Sequence, residues 1–171
     1  MEQGSAMPIV IRPGTPADLD FVVDCNARLA RETEDKQLDP AKLRPGVESV
    51  LATPAKGRYF IAELDRRPAG QIMFTTEWSD WRNGFFWWIQ SVYVMPQARR
   101  SGVFTALFRH LERLAREDPT VCGLRLYVDQ ANEAAQRTYR RLGLDATHYT
   151  LMEVEFRRPA TGQGIADAQA R

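Results

Sequence analysis

"MPQARRSGVF", residues 95–104, joins two runs of different character. Ahead of it, Ile89–Val94 reads as an apolar strand; behind it, Val103–Ala115 reads as an apolar-faced helix. Two arginines, a serine and a glycine fill the junction. A strand that ends in a turn opening directly into a helix aims several backbone N–H groups at one point. The helix dipole adds roughly half a positive charge there. Phosphate is the natural occupant. The turn is not a P-loop, because no Gly-Lys-Ser/Thr follows. Nor is it Gly-x-Gly-x-x-Gly, and no early βαβ unit precedes it, which disfavours a dinucleotide fold.

The elements around the turn follow from periodicity. "FFWWIQSVYVM" (85–95) is apolar on both alternating faces, Phe85, Trp87 and Ile89 on one and Phe86, Trp88 and Val92 on the other. Such a strand is central and covered on both sides. Before it, "SDWRNG" (79–84) ends in Asn83-Gly84, the pair preferred by a two-residue type I′ turn. "AGQIMFTTEW" (69–78) and "GRYFIAEL" (57–64) read as strands about a "DRRP" turn. Further upstream, "PIVIRPG" (8–14) is a short β-branched run. Thr15 as N-cap and Pro16 at the first helical position then open a helix with Leu19, Val22 and Val23 on its apolar face. "DPAKLRPGVESVLAT" (39–53) predicts a second helix, broken or started late at Pro45-Gly46.

Downstream, Phe104, Phe108, Leu111 and Ala115 form one stripe, with Val103, Leu107 and Leu114 beside it. "CGLRLYV" (122–128) is the next strand. "NEAAQRTYRRLG" (132–143) is a helix with Asn132 as N-cap and Gly143 as its stop. "THYTLMEVEF" (147–156) alternates as a last strand. The order β-α-α-β-β-β-α-β-α-β predicts an α+β fold, a mixed, mostly antiparallel sheet with helices on both faces.

Composition sets bounds. The chain has 171 residues, 44% hydrophobic and 26% charged, with net charge +1. Those values suit one globular domain with a real core, expected over 7–156, and no global field that draws it to nucleic acid or membrane. Residues 1–6 read as a leader outside the fold and 157–171 as a mobile tail without apolar periodicity. No apolar run approaches the roughly 18 residues that span a bilayer. The expected location is cytoplasmic, with Cys25 and Cys122 as buried free thiols. His110 and His148 have no partners at metal spacing, so no metal is expected. The helical arginines at 109, 113, 116, 137, 140 and 141 read as solvated faces, and no Gly-x-Ser-x-Gly elbow suggests a hydrolase.

Two motifs carry a resemblance. Val94-Met95-Pro96 followed by Arg99-Arg100-Ser101-Gly102-Val103-Phe104 is similar to the Val-x-Pro and Arg/Gln-x-x-Gly-x-Gly/Ala signature of the GNAT superfamily of acyl-CoA-dependent N-acetyltransferases. Asn132, Ala135, Thr138, Tyr139, Leu142 and Gly143 follow a second motif of that family. Phe104 and Thr138 depart from it, standing where the family favours a small residue and often has Phe. The helical stripe lets the Phe104 side chain point into the core while its N–H faces the phosphate.

The resemblance implies acetyl-CoA as co-substrate and a GNAT-type fold. Backbone groups of Arg99, Arg100, Ser101, Gly102, Val103 and Phe104 would hold the diphosphate, helped by the side chain of Arg99 or Arg100. Backbone groups of Val92 and Val94 would pair with the pantetheine arm, and Asn132 would reach the cofactor unless it is simply an N-cap. Tyr139 would act as general acid toward the leaving thiolate. The strand from Phe85 to Val94 contains no acid, so the base is left among Glu34, Glu77, Asp80 or a water held by Gln90 or Ser91. Glu32, Glu34 and Asp35 would draw a cationic amine if they are not merely a solvated helix end. Trp81 is the aromatic least explained as core.

The primary reading is an enzyme moving acetyl to a primary amine, on a small molecule or peptide, by direct attack in a ternary complex, with a homodimer compatible. The readings set against it are a non-catalytic acyl-CoA-binding regulatory or interaction module, and an unrelated α/β phosphate binder.

Overall fold

The computed structural model describes residues 8–154 and 156. The leader expected at 1–6 and the tail at 157–171 lie outside the described residues. The elements are β1 (Ile9–Pro13), α1 (Leu19–Glu34), α2 (Pro40–Ala52), β2 (Arg58–Leu64), β3 (Arg67–Ser79), β4 (Gly84–Val94), α3 (Val103–Glu117), β5 (Val121–Leu126) and α4 (Glu133–Arg141). The chain divides into two compact units, the first ending at Val128 and the second starting at Asp129.

In the first unit, β1 to β5 lie in chain order across one sheet. The first four strands are antiparallel neighbours and β5 runs parallel to β4. The mixed sheet expected from the sequence is therefore present. The hairpin turn before β3 is confined to Asp65 and Arg66, both left-handed, which suits a tight two-residue connection.

Alternation along the strands divides the core. On one face, Phe60, Phe74 and Trp87 stack in sequence, with centroids 6.3 and 4.2 Å apart. The α3 residues Leu107, Phe108 and Leu111 are buried, and His110 meets Phe60 edge-on at 4.8 Å. Each such aliphatic or aromatic side chain contributes roughly 1.5–3 kcal/mol when fully buried. On the opposite face, Val22 of α1 and Val47 of α2 pack with Tyr59, Ile61 and Met73. Gly70 on β3 permits a close approach of helix to sheet, since a Cβ there would stand 3.0 Å from Val103 Cγ1 and 2.8 Å from the Tyr93 carbonyl oxygen.

Several expectations change. α2 runs unbroken through Pro45. Asp39 caps it by accepting from Ala41 N–H (2.9 Å), Pro40 opens it, and buried Val47 anchors it beyond the exposed Pro45-Gly46 pair. The β3–β4 connection uses four residues, Asp80–Asn83, because Ser79 already pairs with Gly84 and only Asn83 is left-handed (φ 48°). Cys25 is buried as expected, but Cys122 is exposed. The β4–β5 register shifts between Phe85↔Val121 and Phe86↔Gly123, which leaves Cys122 outside the ladder.

The second unit contains α4. Asn132 Oδ1 accepts from Ala135 N–H (3.0 Å) and Gly143 closes the helix in the left-handed region (φ 95°), as the sequence predicts. The strand expected at 147–156 is absent among the described residues of that stretch, which are irregular and exposed. Within its own unit this stretch has no second strand to pair with among the described residues, and an unpaired strand is not stable.

The entry to α1 is fixed by charge. Asp18, nearly buried, accepts from Arg12 Nη1 and Nη2 (2.8 and 2.7 Å) and from the Thr15 N–H and hydroxyl (2.8 and 2.9 Å). Arg12 Nε also donates to Glu63 on β2 (2.7 Å). The Arg12 guanidinium, aided by Thr15, holds the Asp18 carboxyl down at about 2. A depressed carboxylate stabilises the fold fully above its unfolded value near 4 and loses that contribution as pH falls through 2. Asp18→Asn should therefore flatten the decline of the urea midpoint between pH 4 and 2. Arg12→Met, which leaves a nearly buried carboxylate short of donors, should cost about 1–3 kcal/mol at pH 7.

Candidate functional site

β4 leads into the site. Opposite β3 the register shifts, so that Met73 faces Ser91 and Phe74 faces Ile89, leaving Gln90 as an extra residue. On its other side, pairing with β5 stops at Ile89↔Leu126. From Gln90 to Val94 that edge of β4 is unpaired by β5 and its backbone groups can take an extended ligand as an added strand.

After Val94, a short 3-10 turn (Pro96–Ala98) is followed by Arg99 in extended conformation, Arg100 left-handed (φ 63°) and Gly102 left-handed (φ 90°). Ser101 Oγ donates to the Ala98 carbonyl (2.6 Å), closing the turn on itself. Ala106 N–H is the first to bond back into α3, to the Gly102 carbonyl (2.9 Å). The amides of Val103 and Thr105 therefore precede any intrahelical acceptor and point along the axis at the dipole's positive end. A cavity of about 370 Å³ opens there, lined by Val94, Ala98, Arg99, Arg100, Gly102 and the first residues of α3, Val103 to Thr105. Val103 is buried and half-buried Phe104 borders the cavity. The Phe104 ring lies 6.4 Å from that of Phe108, on the stripe expected of it, while Val103 takes the fully buried position beside it.

The two arginines of the turn divide. Both line the cavity, but Arg100 makes no ion pair among the described residues. The Arg99 guanidinium is engaged: Nη2 donates to Glu32 Oε2 (2.6 Å) and to Tyr93 Oη (3.3 Å), and Nε donates to the Val94 carbonyl (3.1 Å). Tyr93 Oη donates in turn to Glu32 Oε1 (2.6 Å). These two donors hold the Glu32 carboxyl below the usual carboxylate range.

The expected substrate residues do not converge. Glu34 pairs with Lys36 at the end of α1 (2.5 Å). Glu77 accepts from Arg125 Nη1 (2.7 Å) and from the Trp88 indole N–H, so both its oxygens are engaged. Gln90 Nε2 donates to Thr75 Oγ1 (2.9 Å). Trp81 is 86% exposed at the tip of the β3–β4 hairpin, and Asp80 accepts from its N–H (2.9 Å). Of the second motif, Asn132 spends its side-chain oxygen on capping α4, and Tyr139 is half-buried, its phenol pushed up by burial.

Sequence reading missed the polar residues beneath β4. Gln71 on β3 is fully buried and donates to Asn26 Oδ1 and Ser91 Oγ, both at 3.2 Å, while Asn26 Nδ2 donates to Tyr59 Oη (3.2 Å). A polar residue in an otherwise apolar strand was the available signal. Neither His110 nor His148 joins a cluster of metal-ligand type among the described residues.

Comparison with known proteins decides the family. Residues 25–144 match the signature of the acetyltransferase (GNAT) family. The chain belongs to that family. A crystal structure of a possible acetyltransferase from Clostridium difficile 630 shares 41% identity and superposes with a TM-score of 0.83, over 88% of this chain and 99% of that one. A probable acetyltransferase at 24% identity (TM-score 0.74, 90% and 100% covered) shares the fold. So does an aminoglycoside acetyltransferase from a soil metagenome, solved with sisomicin, at 14% identity (TM-score 0.69, 88% and 97% covered). No curated protein matches the chain. The GNAT assignment makes the protein an acyltransferase, and no helix among the described residues is long and apolar enough to cross a membrane.

The turn makes a specific demand on residue 102. A Cβ there would meet only Ile9 Cδ1, at 3.8 Å, so the cost of Gly102→Ala is backbone strain and not a clash. At φ 90° that strain is about 1–2 kcal/mol. Chemical denaturation of Gly102→Ala should show this loss, with the unfolding slope unchanged.

Proposed function

We propose that the protein is an N-acetyltransferase that moves acetyl from acetyl-CoA to a primary amine by direct attack in a ternary complex. The carrying observation is the turn from Met95 to Gly102: a closed, cationic junction between an unpaired strand edge and the positive end of α3. A diphosphate fits the donor set, which pairs backbone amides of Gly102 and Val103 to Thr105 with the guanidinium of Arg100. Ser101 closes the turn, and Phe104 covers one side of the bound group. Backbone groups of Val92 and Val94 pair with the pantetheine arm along the edge that β5 leaves.

Acetyl-CoA, when bound, supplies the acyl thioester. Around it this chain's residues do three things. A backbone N–H near the β4 bulge donates to the carbonyl oxygen on which negative charge develops. Tyr139 gives its Oη proton to the departing sulfur, the role its place in the second family motif supports. The unpaired length of β4 lets the acceptor approach, with Gln90 and Trp88 beside it. The acceptor must arrive neutral, although an alkyl amine with a pKa near 10 is mostly protonated at pH 7. Glu77 is committed to Arg125 and Trp88, and Glu34 to Lys36. Asp80 lies in the β3–β4 turn, at the opposite end of β4 from Val94, where its Oδ1 accepts from the Trp81 N–H. The ammonium proton therefore leaves to water at Gln90 or Ser91 and not to a dedicated carboxylate.

Thermal unfolding tests the cofactor. At about a hundred times Kd, acetyl-CoA should stabilise by roughly 2.7 kcal/mol, raising Tm by about 5–10 °C, while ATP and NAD do not. No rise, or an equal rise with ATP, contradicts the reading. With an acceptor found by thiol release, Tyr139→Phe should lower turnover about 10²–10⁴-fold and leave the acetyl-CoA Kd within a factor of about two. Unchanged turnover removes Tyr139 as the acid.

A further inference from the structure

Arg99 and Arg100 are adjacent in sequence, yet their guanidinium groups do different work. Both border the cavity at the head of α3, but the Arg99 side chain hydrogen-bonds to Glu32, Tyr93 and the Val94 carbonyl, whereas Arg100 makes no ion pair among the described residues. We infer that Arg99 is a positioning residue and not a phosphate ligand: with Glu32 and Tyr93 it forms a strut that fixes the cofactor turn and the end of β4 to the last turn of α1. This rests on the acetyl-CoA reading for its consequence in binding, but the strut itself stands on geometry.

The cluster engages both carboxylate oxygens of Glu32, and Arg28 of α1 adds positive charge beside it. Each oxygen of Glu32 takes one donor, Tyr93 Oη on Oε1 and Arg99 Nη2 on Oε2, both at 2.6 Å. The tyrosine oxygen also accepts from Arg99 Nη2 (3.3 Å), and the Arg99 guanidinium carbon lies 5.5 Å from the Tyr93 ring centroid. Arg99 Nε takes the carbonyl of Val94 (3.1 Å), at the end of the strand edge that receives an extended ligand. Three parts of the first unit meet here: α1 through Glu32, β4 through Tyr93 and Val94, and the turn through Arg99.

An isolated ion pair with both side chains nearly half exposed would count for little. This one is anchored by a tyrosine that is itself buried, only 4% exposed, so the arginine has a fixed counterpart and not a mobile one. For Arg99 to reach a phosphate it would have to give up Glu32, Tyr93 and the Val94 carbonyl together. Arg100, one residue on, already faces that space. The pair Arg-Arg in the turn is thus one arginine for the scaffold and one for the anion. Glu32 is, by the same geometry, withdrawn from the role of attracting a cationic acceptor.

The test compares acetyl-CoA with S-acetylpantetheine, which lacks the diphosphate, in binding titrations on the full chain. Arg99→Gln and Glu32→Gln should each weaken both ligands by a similar factor, about 3–10-fold, and the double variant should be no worse than either single one. Arg100→Gln should weaken acetyl-CoA alone and flatten its dependence on salt, a slope that Arg99→Gln leaves at the wild-type value. Loss of acetyl-CoA affinity in Arg99→Gln with S-acetylpantetheine unaffected, and Glu32→Gln unchanged or tighter, would make Arg99 a phosphate ligand and overturn the proposal.

If the wild-type chain binds neither ligand, the cofactor reading fails and the strut is decided by amide hydrogen exchange without ligand. Either substitution should then speed exchange both in the last turn of α1 and across residues 95–102. Acceleration confined to the side that carries the substitution, or none at all, overturns it.

Discussion

The first amides of an α-helix have no carbonyl within the helix to receive them, and where α3 begins governs much of this molecule. Arg100 and Gly102, both left-handed, turn the chain so that α3 starts at Val103, shortly after the end of β4. The amides of Val103 and Thr105 have no acceptor within the helix, and the cavity before them is where an anion fits. The rest of the first unit holds that helix end still. Val103 seats against the space left by Gly70, and the α3 stripe packs over β2 to β4. Ser101 closes the turn on Ala98, and Arg99 ties it to α1.

The sheet serves the same end by what it leaves undone. A parallel partner that followed β4 along its whole length would consume the backbone groups an extended ligand needs. β5 instead stops pairing at Ile89, and the extra residue at Gln90 interrupts the β3 register at the same point. Beneath this break lies the buried chain Tyr59, Asn26, Gln71 and Ser91, polar where the strands around it are apolar. Hydrogen bonding through Gln71 Nε2 offsets part of the cost of burying them, but Gln71 Oε1 has no partner among the described residues. Acyltransfer without a covalent intermediate asks for little more than such a frame: a held donor, an open edge and a proton source.

Much of this was legible in the sequence, for identifiable reasons. β2, β3 and β4 alternate over long runs, α1 and α3 repeat at helical spacing, and α4 carries both its cap and its stop, so local signals agreed with the fold. α2 was misread because Pro45 weighs heavily in a local reading, whereas the Asp39 cap and the buried Val47 carry the helix past it. Asn83-Gly84 looked like a two-residue turn, but pairing of Ser79 with Gly84 sets a four-residue one. The stretch at 147–156 alternates as a strand does, yet a strand is defined by its neighbour, and the described residues of its unit supply none. In the site, the cationic glycine turn and its placement were visible from spacing alone. That Arg99 and Arg100 part company was not, since the partner of Arg99 stands on another element, 67 residues away. The Arg125 partner of Glu77, 48 residues away, was hidden in the same way, whereas Lys36 beside Glu34 was in plain view.

The central claim is that the head of α3 receives the diphosphate of acetyl-CoA through its backbone. Titrating acetyl-CoA into the ¹⁵N-labelled protein and following its amide resonances tests this most directly. The account predicts saturable shifts concentrated at residues 100–105, largest at Gly102 and Val103, with CoA and acetyl-CoA acting alike. Saturable binding that leaves those amides unmoved while shifting resonances elsewhere would contradict it.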